Sequence, residues 1–146
     1  MTKPPVPQEH AEQASFVYQV KLQYQHDPNF VEDLFFSTLN GAFLGGGSDR
    51  GRMHVMAKLK AEGMNTGVAD IIYLQPRGNY FYLCIEMKRQ GMENRGIGKT
   101  GGPRSEQVAF GRAVDTAGGY YLTAYGAEQA FHAFSEYMGF PSRGAQ

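Results

Sequence analysis

The sequence predicts a single α/β domain with a mixed β-sheet flanked by helices on both faces. Three observations predict it. Residues 69–75 and 80–88 are apolar runs rich in Ile, Tyr, Phe and Leu, and Pro76-Arg77-Gly78-Asn79 separates them, which is the pattern of a β-hairpin. Both parities of those runs are apolar, with Ile72, Leu74, Tyr82 and Cys84 on one side and Ile71, Tyr73, Leu83 and Ile85 on the other. A sheet covered by helices on both faces has that pattern. Around the hairpin, helix-period and strand-like segments follow one another in the order α-β-α-β-β-α-β-α.

The elements follow in order. Residues 1–8 hold three prolines and read as a flexible arm. Residues 9–24 read as a helix, with Ala14, Val17, Tyr18 and Leu22 at roughly helical spacing, and His26-Asp27-Pro28-Asn29 ends it. The aromatic stretch 33–39 reads as a strand, Asn40-Gly41 as a turn, and Gly45-Gly46-Gly47-Ser48-Asp49 as a flexible loop. Ser48 or Asp49 caps a helix running to Glu62, with Gly63 as its stop and Arg52, Lys58 and Lys60 facing outward. After the hairpin, residues 90–104 form a long loop with five glycines, a length that marks functional or mobile segments. A helix over 105–117 ends at Gly118-Gly119, a strand covers 120–125, and an amphipathic helix covers 126–138 with Ala130, Phe131, Phe134 and Tyr137 as its apolar stripe. The domain thus spans 9–140, followed by a short tail over 141–146.

Composition narrows the function classes. The chain has 146 residues, 42% hydrophobic and 19% charged, which suits one folded domain with a real core. No apolar run approaches the ~20 residues of a membrane span, and the N-terminus lacks the apolar core of a signal peptide. The single cysteine, Cys84, lies inside the second hairpin strand and reads as a packing residue. That leaves no disulfide framework and no cysteine-based zinc site, and the expected location is the cytoplasm. The formal net charge is zero, yet residues 50–112 hold eleven Lys or Arg against five Asp or Glu, and the remainder holds three against nine. A cationic middle between acidic ends suits a phosphate-binding face. His10, His26, His54 and His132 are scattered without ligand-like spacing.

The hairpin also carries the chemistry. A turn centred near Arg77–Gly78 sets Asp70 opposite Ile85 or Glu86. In the second register Asp70 and Glu86 share a face, with Cβ atoms ~4.5–5.5 Å apart. Two carboxylates so placed repel unless a cation sits between them. Lys88, two residues past Glu86, points to the same side. Such a group, in the middle of strongly apolar strands, suits a divalent metal with an ammonium beside it. Gly96-Ile97-Gly98-Lys99-Thr100 mimics a phosphate-binding P-loop. The full pattern needs glycine where Glu93 stands, and Gly-Gly-Pro follows where a helix should continue, so no nucleotide cofactor is expected.

The order and spacing of several short motifs resemble the PD-(D/E)XK nuclease superfamily, and within it the VRR-NUC domain proteins of phages and bacteria. They are Glu9-His10-Ala11-Glu12-Gln13, Asn40-Gly41, Lys58-Leu59-Lys60-Ala61-Glu62-Gly63, Gly67-Val68-Ala69-Asp70, Glu86-Met87-Lys88-Arg89 and Ser105-Glu106-Gln107. The chain departs from the family pattern at Ala69, where proline is common, and in having one residue rather than two between Ser105 and Gln107. The resemblance implies a restriction-endonuclease-like fold. It also implies a Mg²⁺- or Mn²⁺-dependent endodeoxyribonuclease in which Asp70, Glu86 and the backbone carbonyl of Met87 hold the ion. Lys88 would orient the attacking water or stabilise transition-state charge, and Gln107 would position that water or Lys88. The resemblance implies a further ligand from the first helix, Glu9, with Glu12 the competing choice. Arg89, Arg95, Lys99 and Arg104, with Arg52, Lys58 and Lys60, would contact DNA phosphates. The implied assembly is a homodimer acting on branched DNA such as four-way junctions. A restriction-like or nicking nuclease on ordinary duplex, and an inactive nucleic-acid-binding module, are the alternatives.

Overall fold

Four strands in the order β1 (Phe35–Ser37), β2 (Ile71–Tyr73), β3 (Leu83–Lys88) and β4 (Tyr120–Tyr125) form one sheet. The structure, a computed structural model, describes residues 2–39 and 48–143. The expected turn at Asn40-Gly41, the Gly45-Gly46-Gly47 stretch and the last three residues of the tail lie outside the described residues. β1–β2 and β2–β3 are antiparallel, and β3–β4 is parallel, so the sheet is mixed as its sequence predicts. The helices are α1 (Glu9–Tyr24), α2 (Asp49–Ala61), α3 (Ser105–Thr116) and α4 (Ala127–Gly139). A short 3-10 turn, Glu32–Leu34, replaces the first residues of the expected strand over 33–39.

Alternation along β3 separates two faces. Leu83, Ile85 and Met87 look toward α1 and α4 and join Phe16, Val20, Phe35, Tyr73, Phe134 and Tyr137 in the main core. Phe134 is its hub, with ring centroids 5.2 Å from Phe35, 5.3 Å from Tyr73 and 5.5 Å from Tyr24. Cys84, Glu86 and Lys88 look the other way. There the apolar cluster is small, Ala69, Cys84 and Val114 with Phe110, Tyr121, Tyr82 and Ile72 packed against it, and α3 provides the cover. Cys84 is buried, and burial pushes its thiol up to about 12, as a packing residue requires.

Two local expectations need correction. In α1 the buried face is Glu12, Phe16 and Val20, whereas Tyr18 and Leu22 are exposed. Apolar residues lie all round this helix, so spacing alone could not choose the face. The cover of the second sheet face is partial, since Leu74 at 45% and Phe81 at 53% remain exposed. α2, capped by Ser48 Oγ accepting from the Gly51 N–H at 3.2 Å, has no buried residue. The hairpin turn is built on Arg77, whose buried guanidinium donates to the carbonyls of Met138 (2.7 Å), Asn29 (3.0 Å) and Phe140 (3.1 Å). Gly78 N–H donates to Pro141 C=O at 2.8 Å, so the start of the tail packs back on that turn.

Candidate active site

The hairpin register decides which side chains meet. Ile71 pairs with Ile85, so Asp70, one residue before β2, stands opposite Glu86. Asp70, Glu86 and Lys88 then lie on one face, all buried, at 8%, 2% and 7% exposure. The approach of α3 to this corner depends on Gly67: a Cβ there would lie 2.5 Å from the Glu106 carbonyl oxygen, in the first turn of α3. That turn delivers Gln107, also buried.

Gln107 ties the group together. Its Oε1 accepts from Lys88 Nζ at 3.0 Å and from the Arg104 backbone N–H at 2.9 Å, and its Nε2 donates to Glu86 Oε1. Lys88 Nζ lies 3.6 Å from Glu86 Oε1. Asp70 Oδ2 accepts from the Met87 backbone N–H at 2.7 Å. In a strand a residue's N–H and C=O point the same way, so the Met87 carbonyl also faces Asp70. Glu86 Oε2 is buried with no hydrogen-bond partner.

The electrostatics follow from burial. Desolvation pushes Asp70 up to about 6 and Glu86 to about 8; the charge of Glu9 raises both and that of Lys88 lowers both. Asp70 adds to the rise at Glu86, and Arg104 opposes it. Without a cation the pair therefore retains one proton near neutral pH, mainly on Glu86. An orphaned buried carboxylate oxygen, a second carboxylate opposite it and an inward carbonyl make a hard-oxygen donor set, which fits Mg²⁺ or Mn²⁺. Among the described residues no three acidic, His or Cys side chains are already gathered at ligating distance. Glu9 is exposed on α1, near enough to act on both carboxylates.

The remaining candidate residues lie at the exit of β3, in the 90–104 loop, on α2 and at the start of α3. Arg104 donates to Thr66 C=O at 2.9 Å and lies beside the site. Arg89 donates to Val6 C=O at 2.7 Å, which ties down the N-terminal arm. Arg95 and Lys99 are exposed in the 90–104 loop, where Gly98 N–H donates to Pro103 C=O at 2.8 Å and no helix follows Lys99. Arg52 pairs with Asp49 on α2, and Lys58 and Lys60 are exposed there. Ser105 is exposed, and its hydroxyl donates to Glu106 Oε2 at 3.5 Å.

A solved VRR_NUC domain protein shares this architecture, with a TM-score of 0.70 over 97% of this chain and 94% of that one, at 19% identity. The chain has the VRR-NUC fold. No family model matches the sequence, and no curated protein does. In this VRR-NUC fold β4 runs parallel to β3, pairing Tyr121 with Cys84 and Thr123 with Glu86, so both project onto the site's face. Burial first, and then the charge of Glu86, push the Tyr121 phenol up. Sequence reasoning missed both residues. Their parity along β4 was readable, but the β3–β4 register that gives parity a meaning was not.

Proposed function

We propose that this chain is a metal-dependent DNA endonuclease that hydrolyses phosphodiester bonds in branched DNA, four-way junctions especially, as a homodimer. One observation carries the reading: two buried carboxylates stand opposite each other on adjacent strands, and one of them, Glu86, keeps an oxygen without a partner. Asp70, Glu86 and the Met87 carbonyl hold Mg²⁺ or Mn²⁺, with Glu9 supplying a further oxygen from α1. When bound, the ion supplies Lewis-acid polarisation of the phosphate and a bound water of lowered pKa.

The protein's own groups do the rest. Lys88, its ammonium held by Gln107 Oε1, presents positive charge where the attacking water and the developing phosphorane charge gather. Gln107 fixes Lys88 and Glu86 together, so its role is to position the pair. Burial of these groups excludes bulk water and strengthens their fields. Arg104, beside the site, and the exposed Arg95 and Lys99 contact backbone phosphates, with Arg89 and the α2 residues Arg52, Lys58 and Lys60 as outer contacts. One domain with one site cuts one strand, so paired cleavage of a junction calls for two copies.

The test is cleavage of labelled four-way, flap, single-stranded and linear duplex DNA with Mg²⁺, Mn²⁺ or EDTA. The expected result is metal-dependent cutting, strongest on the four-way junction and lost in Glu86→Gln. Cutting by Glu86→Gln at the wild-type rate would overturn the site.

A further inference from the structure

Glu12 is a buried carboxylate, 4% exposed, that the chemistry above does not use. Among the described residues no Lys, Arg or His lies within ion-pair distance of it. Its partners are neutral. Oε2 accepts from the backbone N–H of Ala127, the first residue of α4, at 2.6 Å, and Oε1 accepts from Gln90 Nε2 at 2.8 Å. A carboxylate at a helix N-terminus is favoured by the helix dipole, so this charge is well placed. The junction is tight: Gly126 N–H donates to Lys88 C=O at 2.9 Å, and a Cβ on Gly126, whose φ is +96°, would lie 2.6 Å from Gln90 Cγ. Three segments therefore meet at Glu12: the first turns of α1, the N-terminus of α4 and the exit of β3 just past Lys88.

Glu9 sits one helical turn before Glu12, on the same side of α1. The first turn of α1 has no side-chain cap, since Gln8 makes none. The Glu12 anchor fixes that turn relative to the exit of β3, next to the Arg89–Val6 hydrogen bond that holds the arm before it. We infer that Glu12 is a positioning residue that, by gripping Ala127 and Gln90, holds Glu9 toward Asp70 and Glu86 as the third carboxylate of the metal site. The inference rests on the endonuclease reading and resolves the choice between Glu9 and Glu12, giving ligation to one and support to the other.

The test is a double-mutant cycle read by Mn²⁺ affinity from isothermal titration and by single-turnover cleavage, on protein shown by circular dichroism to be folded. Glu12→Ala and Glu9→Gln are each expected to weaken Mn²⁺ binding and slow cleavage by roughly 10–100-fold, the usual cost of losing a support to a metal site. DNA affinity in EDTA should not change. In the Glu9→Gln background, Glu12→Ala should add nothing. Should Glu12→Ala fail to fold, Gln90→Ala removes one of the two grips from an exposed position and is expected to show a smaller loss, again absent without Glu9. Folded variants that bind Mn²⁺ as the wild type does, or losses that multiply fully with Glu9→Gln, overturn this inference alone. Wild-type protein that neither binds Mn²⁺ nor cuts DNA overturns the endonuclease reading, and this inference with it.

Discussion

The two faces of one sheet are built on opposite principles. Toward α1 and α4 the side chains of β2 and β3 enter a dense aromatic core, with Phe134 within 6.2 Å, centroid to centroid, of Phe16, Phe30, Phe35, Tyr24 and Tyr73. Toward α3 the same strands bury Asp70, Glu86 and Lys88, which cost solvation and make few apolar contacts. The first face stabilises the fold, and the second spends part of that stability on a concentrated charge. If so, damage to the two faces should separate chemistry from stability.

The largest effect is expected on the charged face. Asp70→Asn or Glu86→Gln should lower cleavage by at least ~10²–10³-fold, in the range seen when one transition-state partner is removed. In EDTA Asp70→Asn should melt at or above the wild-type temperature, because one of two facing buried acids has been neutralised. Glu86→Gln also takes a partner from buried Lys88 and should melt no higher. Thermal melts beside single-turnover rates check both halves. A variant that both unfolds and loses activity would mean the acids serve as structure.

The reverse experiment is Phe134→Ala. Truncating the hub of the aromatic core should cost ~3–5 kcal/mol of stability, measured by urea unfolding. The protein that remains folded at low temperature should still cut at close to the wild-type rate per folded molecule.

A third test reads the strain on the charged face through pH. Both carboxyls titrate higher in the folded protein than their ordinary values, Asp70 rising from 3.8 to about 6 and Glu86 from 4.5 to about 8. Between those limits the folded state holds more protons than the unfolded one, so stability falls as pH rises. The stability contributed by the protonated pair is full below about pH 4 and gone above about pH 8. In EDTA the melting temperature should therefore decline from pH 5 to 8. Glu86→Gln should flatten the pH 6–8 part, and Mn²⁺ should reverse the decline by binding the ionised pair.

These contrasts also explain what could be read from the sequence. The hairpin was legible because its turn residues and two-parity apolar runs are local signals, and they restrict Asp70 to two registers. The structure selects the one that sets it opposite Glu86. Gln107 was legible as a nearby residue, but its double grip on Lys88 and Glu86 depends on how α3 docks over Gly67, which spacing does not encode. The buried face of α1 was not legible. Phe16 and Val20 compete with Tyr18 and Leu22 at equal spacing, and Glu12, a charged residue, shares the buried face. Periodicity assigns a carboxylate to solvent, and only the N-terminus of α4 explains why this one is inside.

The smallest effects belong to the rim of the charged face, where the comparison can be sharpened. Lys99 is exposed, with no ion pair among the described residues, so Lys99→Ala should leave folding and turnover alone. It should weaken DNA binding a few-fold and reduce the slope of log affinity against log salt by about 1, the mark of one lost phosphate contact. Arg104 is expected to behave differently, because it also bonds Thr66 C=O, its backbone N–H meets Gln107 and its charge reaches Glu86. Arg104→Ala should show the same change in salt slope together with a fall in turnover. Binding titrations at three salt concentrations, paired with single-turnover rates, separate the two residues. An unchanged salt slope in both variants would remove the 90–104 loop from the DNA-binding surface and leave the exposed lysines of α2, Lys58 and Lys60, as the next contacts to test.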